Sequence, residues 1–119
     1  MTTINLKTNV RNGNNGISVI DFDGEVNGLA ENTLMDAYQQ ASKDNTNAII
    51  LNFEKLEYLN SSGIGLLVTI LIRAQRKDQR LLACGLSTHY REIFALTRLD
   101  EAISIFPTES EAITAASSQ

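Results

Sequence analysis

Two short apolar runs, Ala48-Ile49-Ile50-Leu51-Asn52-Phe53 and Leu81-Leu82-Ala83-Cys84-Gly85-Leu86, flank a segment of helical length rich in Ile, Leu and Val. Runs this short and this apolar read as strands covered on both faces. Strand, helical crossover and strand together make a parallel pair with a right-handed connection. That unit fixes the fold class as α/β, and the remaining segments must be arranged around it.

Upstream, Ile4, Leu6, Thr8 and Val10 alternate with polar neighbours, the period of a half-buried strand. Asn12-Gly13-Asn14-Asn15-Gly16 is a turn by composition, and Ile17 to Phe22 resumes the alternation, so the pair reads as a hairpin. Asp23-Gly24-Glu25-Val26-Asn27-Gly28 closes it. Alternation places Asp21, Asp23 and Glu25 on one face, read as the solvated side of the strand. Leu34, Ala37, Tyr38 and Ala41 predict an amphipathic helix over 30–43, with Glu31, Asp36 and Gln40 outward. A second helix is expected from about Ser62 to Asp78 and a third, shorter one around Tyr90, Ile93, Phe94 and Leu96-Thr97. Ile103 to Phe106 reads as an edge strand stopped by Pro107. Glu109 to Ala116 is weakly helical, with an Ala112/Ile113 face ahead of a frayed Ser117-Ser118-Gln119 end.

The 119 residues read as one domain, large enough for a core without disulfide or metal support. A net charge of −4 argues against a nucleic-acid binder. Met1-Thr2-Thr3-Ile4-Asn5 lacks the features of a secretory signal, and Ile64 to Ile72 is far short of the roughly 20 apolar residues of a bilayer span. Cys84, the single cysteine, cannot form an internal disulfide and reads as a buried small hydrophobe. The expected compartment is the cytoplasm, with no membrane partner and no cofactor.

Enzyme signatures fail one by one. His89 is the only histidine, and no G-x-S-x-G elbow surrounds a serine. One Cys and one His far apart make no metal site. Gly63-Ile64-Gly65 is followed by Leu66-Leu67 rather than by the Lys and Ser/Thr of a P-loop, and a dinucleotide fingerprint lacks its third glycine. What remains is Tyr58-Leu59-Asn60-Ser61-Ser62-Gly63-Ile64-Gly65, where a strand hands over to a helix. The first N–H groups of a helix lack internal partners and carry the positive end of its dipole. A hydroxyl there can cap the helix, bind an anion or accept a phosphate. Ile64, Leu66, Leu67, Val68, Ile70, Leu71 and Ile72 occupy more than one face of the helix that follows. Such a helix is either deeply buried or partly covered by another protein.

Three segments together resemble the anti-sigma-factor antagonist branch of the STAS family. Phe22-Asp23-Gly24-Glu25-Val26-Asn27 looks like that family's G-E-hydrophobic-D strand end. Leu59-Asn60-Ser61-Ser62-Gly63-Ile64-Gly65 looks like its D-S-S/T-G-L-G phosphoacceptor loop. Leu86-Ser87 through Leu99-Asp100, then Ile103 to Phe106 and Glu111-Ala112, looks like its third helix and closing segment. The resemblance implies a single STAS domain over 1–119, with a mixed, mostly parallel sheet of four to five strands and about four helices largely on one face.

It further implies a non-enzymatic binding protein that captures an anti-sigma factor with serine kinase activity and so frees the sigma factor. Phosphorylation would release the antagonist, and a serine phosphatase would reset it. Carried over by position, the acceptor is Ser61, with Ser62 supporting the loop and Gly63 permitting the turn and close approach of the partner's backbone. The partner-binding set is Asn27, Asn60, Ser61, Ser62, Gly63 and Ile64. The chain departs from the pattern at Asn60 and Asn27, where the family carries acids, at Arg98, where members often have glycine, and at Thr88, where they often have proline. Those two asparagines motivate an alternative, a non-phosphorylated interaction or scaffold subunit with Ser61 only a cap. A third reading, a small hydrolase or ligand-binding domain using the same helix N-terminus, lacks a base near the serines.

Overall fold

The computed structural model describes residues 4–13 and 15–118. Asn14 of the predicted turn, Met1-Thr2-Thr3 and Gln119 of the predicted frayed end lie outside the described residues. The chain runs β1 (Leu6–Asn12), β2 (Ile17–Val26), a 3-10 turn (Gly28–Ala30), α1 (Glu31–Ala41), β3 (Ala48–Leu59), α2 (Ser61–Arg76), β4 (Arg80–Cys84) and α3 (Thr88–Leu96). A second 3-10 turn (Leu99–Glu101), β5 (Ser104–Phe106) and α4 (Glu109–Ser117) complete it. The strands lie in the order β1-β2-β3-β4-β5, with β1 antiparallel to β2 and the other pairs parallel. Hairpin, buried parallel pair and short edge strand therefore stand as expected.

Alternation along the strands sorts the core into two layers. Ile20, Phe22, Ile49, Leu51, Phe53, Leu81 and Ala83 face α1, α2 and α3, meeting Leu34, Leu67, Ile70 and Phe94. Phe53 stacks against Phe22 with centroids 4.8 Å apart and meets Phe94 edge-on. On the other face Ile17, Val19, Ala48, Ile50, Leu82 and Cys84 are covered by α4 alone, through Ala112 and Ala116. Cys84 is buried, and that burial pushes its thiol up to about 11. Three of the four helices thus share one face. Among the described residues no helix is long and apolar enough to cross a membrane.

Two expectations need correction. The central strand is twelve residues long, not six, because its second half, Glu54 to Leu59, pairs with the second half of β2. The register shifts between Asp21 and Asp23 and again between Gly24 and Glu25, each time with the extra residue in β3. Such bulges break the period of two, so the second half of β3 carries no alternating signature. Asp21 is not merely solvated. Arg11 binds it through both Nε (2.9 Å) and an Nη (2.7 Å) and also clasps Glu109 at the start of α4, while Asn52 and Asn9 donate to the same carboxylate. Burial pushes the Asp21 carboxyl up, but the hydrogen bonds from Arg11, Asn52 and Asn9 outweigh it and hold the group below its ordinary value. The same two carboxylates raise the Arg11 guanidinium.

The departures at Thr88 and Arg98 fall at the two ends of α3. Thr88 is the first helical residue after the Ser87 cap, a position whose backbone suits proline. Arg98 follows the helix with φ of 63°, the left-handed conformation that favours glycine. Its side chain reaches only Glu101, 3.8 Å away and exposed, which does little to offset the strain.

Arg98→Gly is therefore expected to stabilise the fold by about 0.5–1 kcal/mol. Thermal unfolding would register this as a rise of a few degrees, about 2–6 °C; an unchanged or lower midpoint would show that Arg98 is unstrained. The lowered Asp21 value gives a second expectation. A carboxyl depressed on folding contributes stability above its unfolded value, about 3.9, and loses it as pH falls through the folded value. Unfolding midpoints should fall on acidification below about pH 4, and Asp21→Asn should remove that part of the decline while leaving the slope near neutrality unchanged.

Candidate functional site

β2 and β3 are adjacent and parallel, so their carboxyl ends, Val26 and Leu59, lie side by side. Each strand is followed by an asparagine that caps what comes next. The Asn27 side-chain oxygen accepts from the Leu29 N–H at 2.9 Å and starts the 3-10 turn. The Asn60 side-chain oxygen accepts from the Gly63 N–H at 2.9 Å and starts α2, while its carbonyl accepts from Ile64. The Asn60 N–H donates to the Val26 carbonyl, 3.3 Å away, tying the two strand ends together. Ligands of open α/β sheets gather at this edge, outside the carboxyl ends of the strands.

The reading of Ser61 or Ser62 as a cap is thereby overturned, since Asn60 does the capping. Its β-region backbone (φ −104°, ψ −177°) is that of an N-cap, and an amide oxygen reaches the third helical N–H as well as a hydroxyl does. Ser61 and Ser62 become the first two helical residues, and both are exposed. Among the described residues neither their hydroxyls nor their backbone N–H groups have a protein partner. Ser62 borders the 3-10 turn, because a Cβ on Gly28 would lie 3.5 Å from its Cβ.

Gly63 is buried, and its missing side chain serves internal packing. A Cβ there would overlap the Val26 carbonyl oxygen and approach Leu59 Cδ1 to 2.8 Å. Only glycine lets the first turn of α2 press against the end of β2. Ile64 is half-buried against the core. Along α2, Gly63, Leu67, Ile70, Leu71 and Ala74 are buried, Ile64, Leu66 and Val68 are half-buried, and Ile72 remains 44% exposed. The helix that looked apolar all round is thus partly uncovered, and Leu29 and Tyr58, on the segments leading to and from the two asparagines, are also exposed.

No ionisable side chain occurs in Asn27-Gly28-Leu29 or in Asn60 through Ile64, and the first turn of α2 has no acid. Within these two segments the helix N-terminus is the charged feature, and it favours negative charge. His89 is exposed on α3, its ring 4.9 Å from that of Tyr90. Sequence reasoning missed one contact: the Tyr90 hydroxyl accepts from the Leu59 N–H at 3.0 Å. A polar groove of about 370 Å³ lined by Lys7, Asn9, Asp21, Asp23, Asn52 and Lys55 opens on the sheet's other face. Its Asp21 and Asn52 are already bonded to each other, and neither serine lines it.

The STAS domain family model matches residues 9–112. The chain is 26% identical over 86 residues to the anti-sigma-B factor antagonist of Staphylococcus aureus, covering 72% of this chain and 80% of that protein. Among solved structures it is similar to an anti-sigma factor antagonist from Mycobacterium paratuberculosis, with a TM-score of 0.79 at 23% identity over 93% of each chain. It is also similar to the Bacillus cell fate determinant SpoIIAA in its phosphorylated form, with a TM-score of 0.65 at 24% identity over 91% of this chain and 97% of that one. At these identities the two structures bear on the fold.

Replacing the cap and replacing the serine are expected to differ. Asn60→Ala should cost about 1 kcal/mol in urea unfolding, whereas Ser61→Ala, at an exposed position with no partner, should stay within about 0.5 kcal/mol of the parent. Equal losses would return the capping role to the serine.

Proposed function

The chain belongs to the STAS domain family, and from that premise we propose that it is an anti-sigma factor antagonist switched by phosphorylation of Ser61. The observation that carries the reading is the placement of Ser61: exposed, free of any capping duty, and first in a helix whose first turn carries no acid. Its partner is an anti-sigma factor with serine kinase activity, docked over the serine turn and the uncovered apolar side chains Leu29, Tyr58 and Ile72. A serine phosphatase restores the binding form. The protein acts in the cytoplasm, by binding rather than by catalysis. Two of the named relatives are anti-sigma factor antagonists and the third was solved in a phosphorylated form, which supports this assignment.

A phosphate on Ser61 adds about −1.5 to −2 charges. The unpartnered N–H groups of Ser61 and Ser62 and the helix dipole accommodate it, so the fold is kept. A docked protein surface fares differently, because it would have to desolvate a dianion where it previously met a hydroxyl. Asn60 and Asn27 turn their side-chain oxygens inward as caps, which leaves their amide N–H groups for the partner. Where an acid offers only acceptors, this chain offers donors.

The two asparagines also favour one alternative, a scaffold subunit that binds without being switched, since no carboxylate stands beside Ser61 to orient a kinase. The readings separate experimentally. Under the switch, incubation with the candidate kinase and ATP places phosphate on Ser61 by mass spectrometry. Ser61→Asp then weakens capture of the anti-sigma factor by about ten- to a hundredfold, an effect of typical coupling size, and Ser61→Ala holds it throughout. Equal capture by the parent and both variants, with no phosphate on Ser61, would leave the scaffold.

A further inference from the structure

We infer that Tyr90, on α3, is a positioning residue for the serine turn, acting through the backbone of Leu59. The inference deepens the phosphorylation reading above and rests on it for its functional consequence. Its structural basis is a hydrogen-bond accounting of β3. Along a strand successive N–H groups point to opposite sides, so the Leu59 and Asn60 donors diverge. Asn60 donates to Val26 on the β2 side. Leu59 donates toward the side that β4 would occupy. The ladder between β3 and β4, however, ends at Asn52 and Cys84, so no strand is present beside Leu59.

Leu59 is 4% exposed, and a backbone N–H left unpaired at such a site costs as much as a lost hydrogen bond. The Tyr90 hydroxyl fills the vacancy at 3.0 Å, standing in for a missing strand. Tyr90 is itself held on three sides. Ser87 caps its N–H, its ring packs on the main core, and His89 meets it edge-on. The next residue after Leu59 is the cap of α2, and the one after that is Ser61. The Tyr90 bond fixes the Tyr58–Leu59 peptide, the Val26 bond fixes the Leu59–Asn60 peptide that follows, and the two together set the direction in which the chain enters the Asn60 cap and Ser61. α3 thus reaches the strand end before the serine turn through the Tyr90 side chain.

Tyr90→Phe keeps the ring and removes only the acceptor. Amide hydrogen exchange followed residue by residue should show the bonded amides of Leu59, Asn60, Gly63 and Ile64 opening about five- to tenfold faster, the effect expected for one hydrogen bond. Exchange at Ile49, Ile50 and Leu51 in the core of β3 should be unchanged. With the partner kinase and ATP, kcat for Ser61 phosphorylation should fall by a similar factor while KM stays near the parent's, because the exposed residues the kinase meets are untouched. Unaltered exchange at Leu59, Asn60, Gly63 and Ile64 would overturn the inference, as would equal acceleration of the core amides, which marks general destabilisation. If the parent itself takes no phosphate on Ser61, the switch reading fails, and the exchange measurement alone decides whether Tyr90 holds the turn.

Discussion

Val26 and Leu59 end two neighbouring parallel strands at the same level, and the bond from Asn60 N–H to the Val26 carbonyl locks them there. The first turn of α2 then descends so close to that carbonyl that a side chain on residue 63 has no room. From this one contact the rest of the site follows. It sets the direction in which α2 leaves the sheet and brings the 3-10 turn against Ser62. It also turns Ser61 outward, since Gly63 occupies the inward side. A different register between β2 and β3 would bury the serine or strand it away from the Asn27 segment.

The bulges in β3 serve the same end. Without its two extra residues β3 would finish out of step with β2, and the two asparagine caps would no longer lie at one edge. Both caps accept through amide oxygens, so the helix dipole is neither neutralised nor reinforced by a formal charge at its N-terminus. The turn is electrically plain, and any charge placed on it becomes the dominant local feature. Charge elsewhere has been put to structural use: Arg11 bridges β2 to α4 on the far layer of the sheet.

Much of this was legible in the sequence because the signals were local and redundant. The apolar runs at 48–53 and 81–86, the alternation of the hairpin and Pro107 after the last strand each carried their own meaning. The second half of β3 was not legible, because its alternation is broken where it bulges and because its pairing partner is set by distant register. The serine turn is legible from its flanks, yet its hydroxyls point to the serines as caps, and the structure gives that role to Asn60. Type alone does not separate Asn from Ser at an N-cap; which residue holds the extended backbone does. Gly63 and Tyr90 escaped for another reason. What each one does depends on an atom of another strand, Val26 O or Leu59 N, which no window along the chain contains. Arg98 was legible only as a departure, and its positive φ supplies the physical meaning.

α4 closes its layer with three alanines and a half-buried isoleucine, and adds polar holds: Arg11 to Glu109, and Arg80 to the carbonyls of Ala115 and Ser118. Less apolar area leaves water with α4 than with α2, whose Leu67, Ile70 and Leu71 lie in the main core. Stability is therefore layered, and the C-terminal helix is a subunit of cooperativity that can open before the rest. Its departure would bare Ile17, Val19, Ile50 and the thiol of Cys84 without touching the opposite layer. The sheet itself lies between the α4 layer and the layer that carries α2 and Ser61.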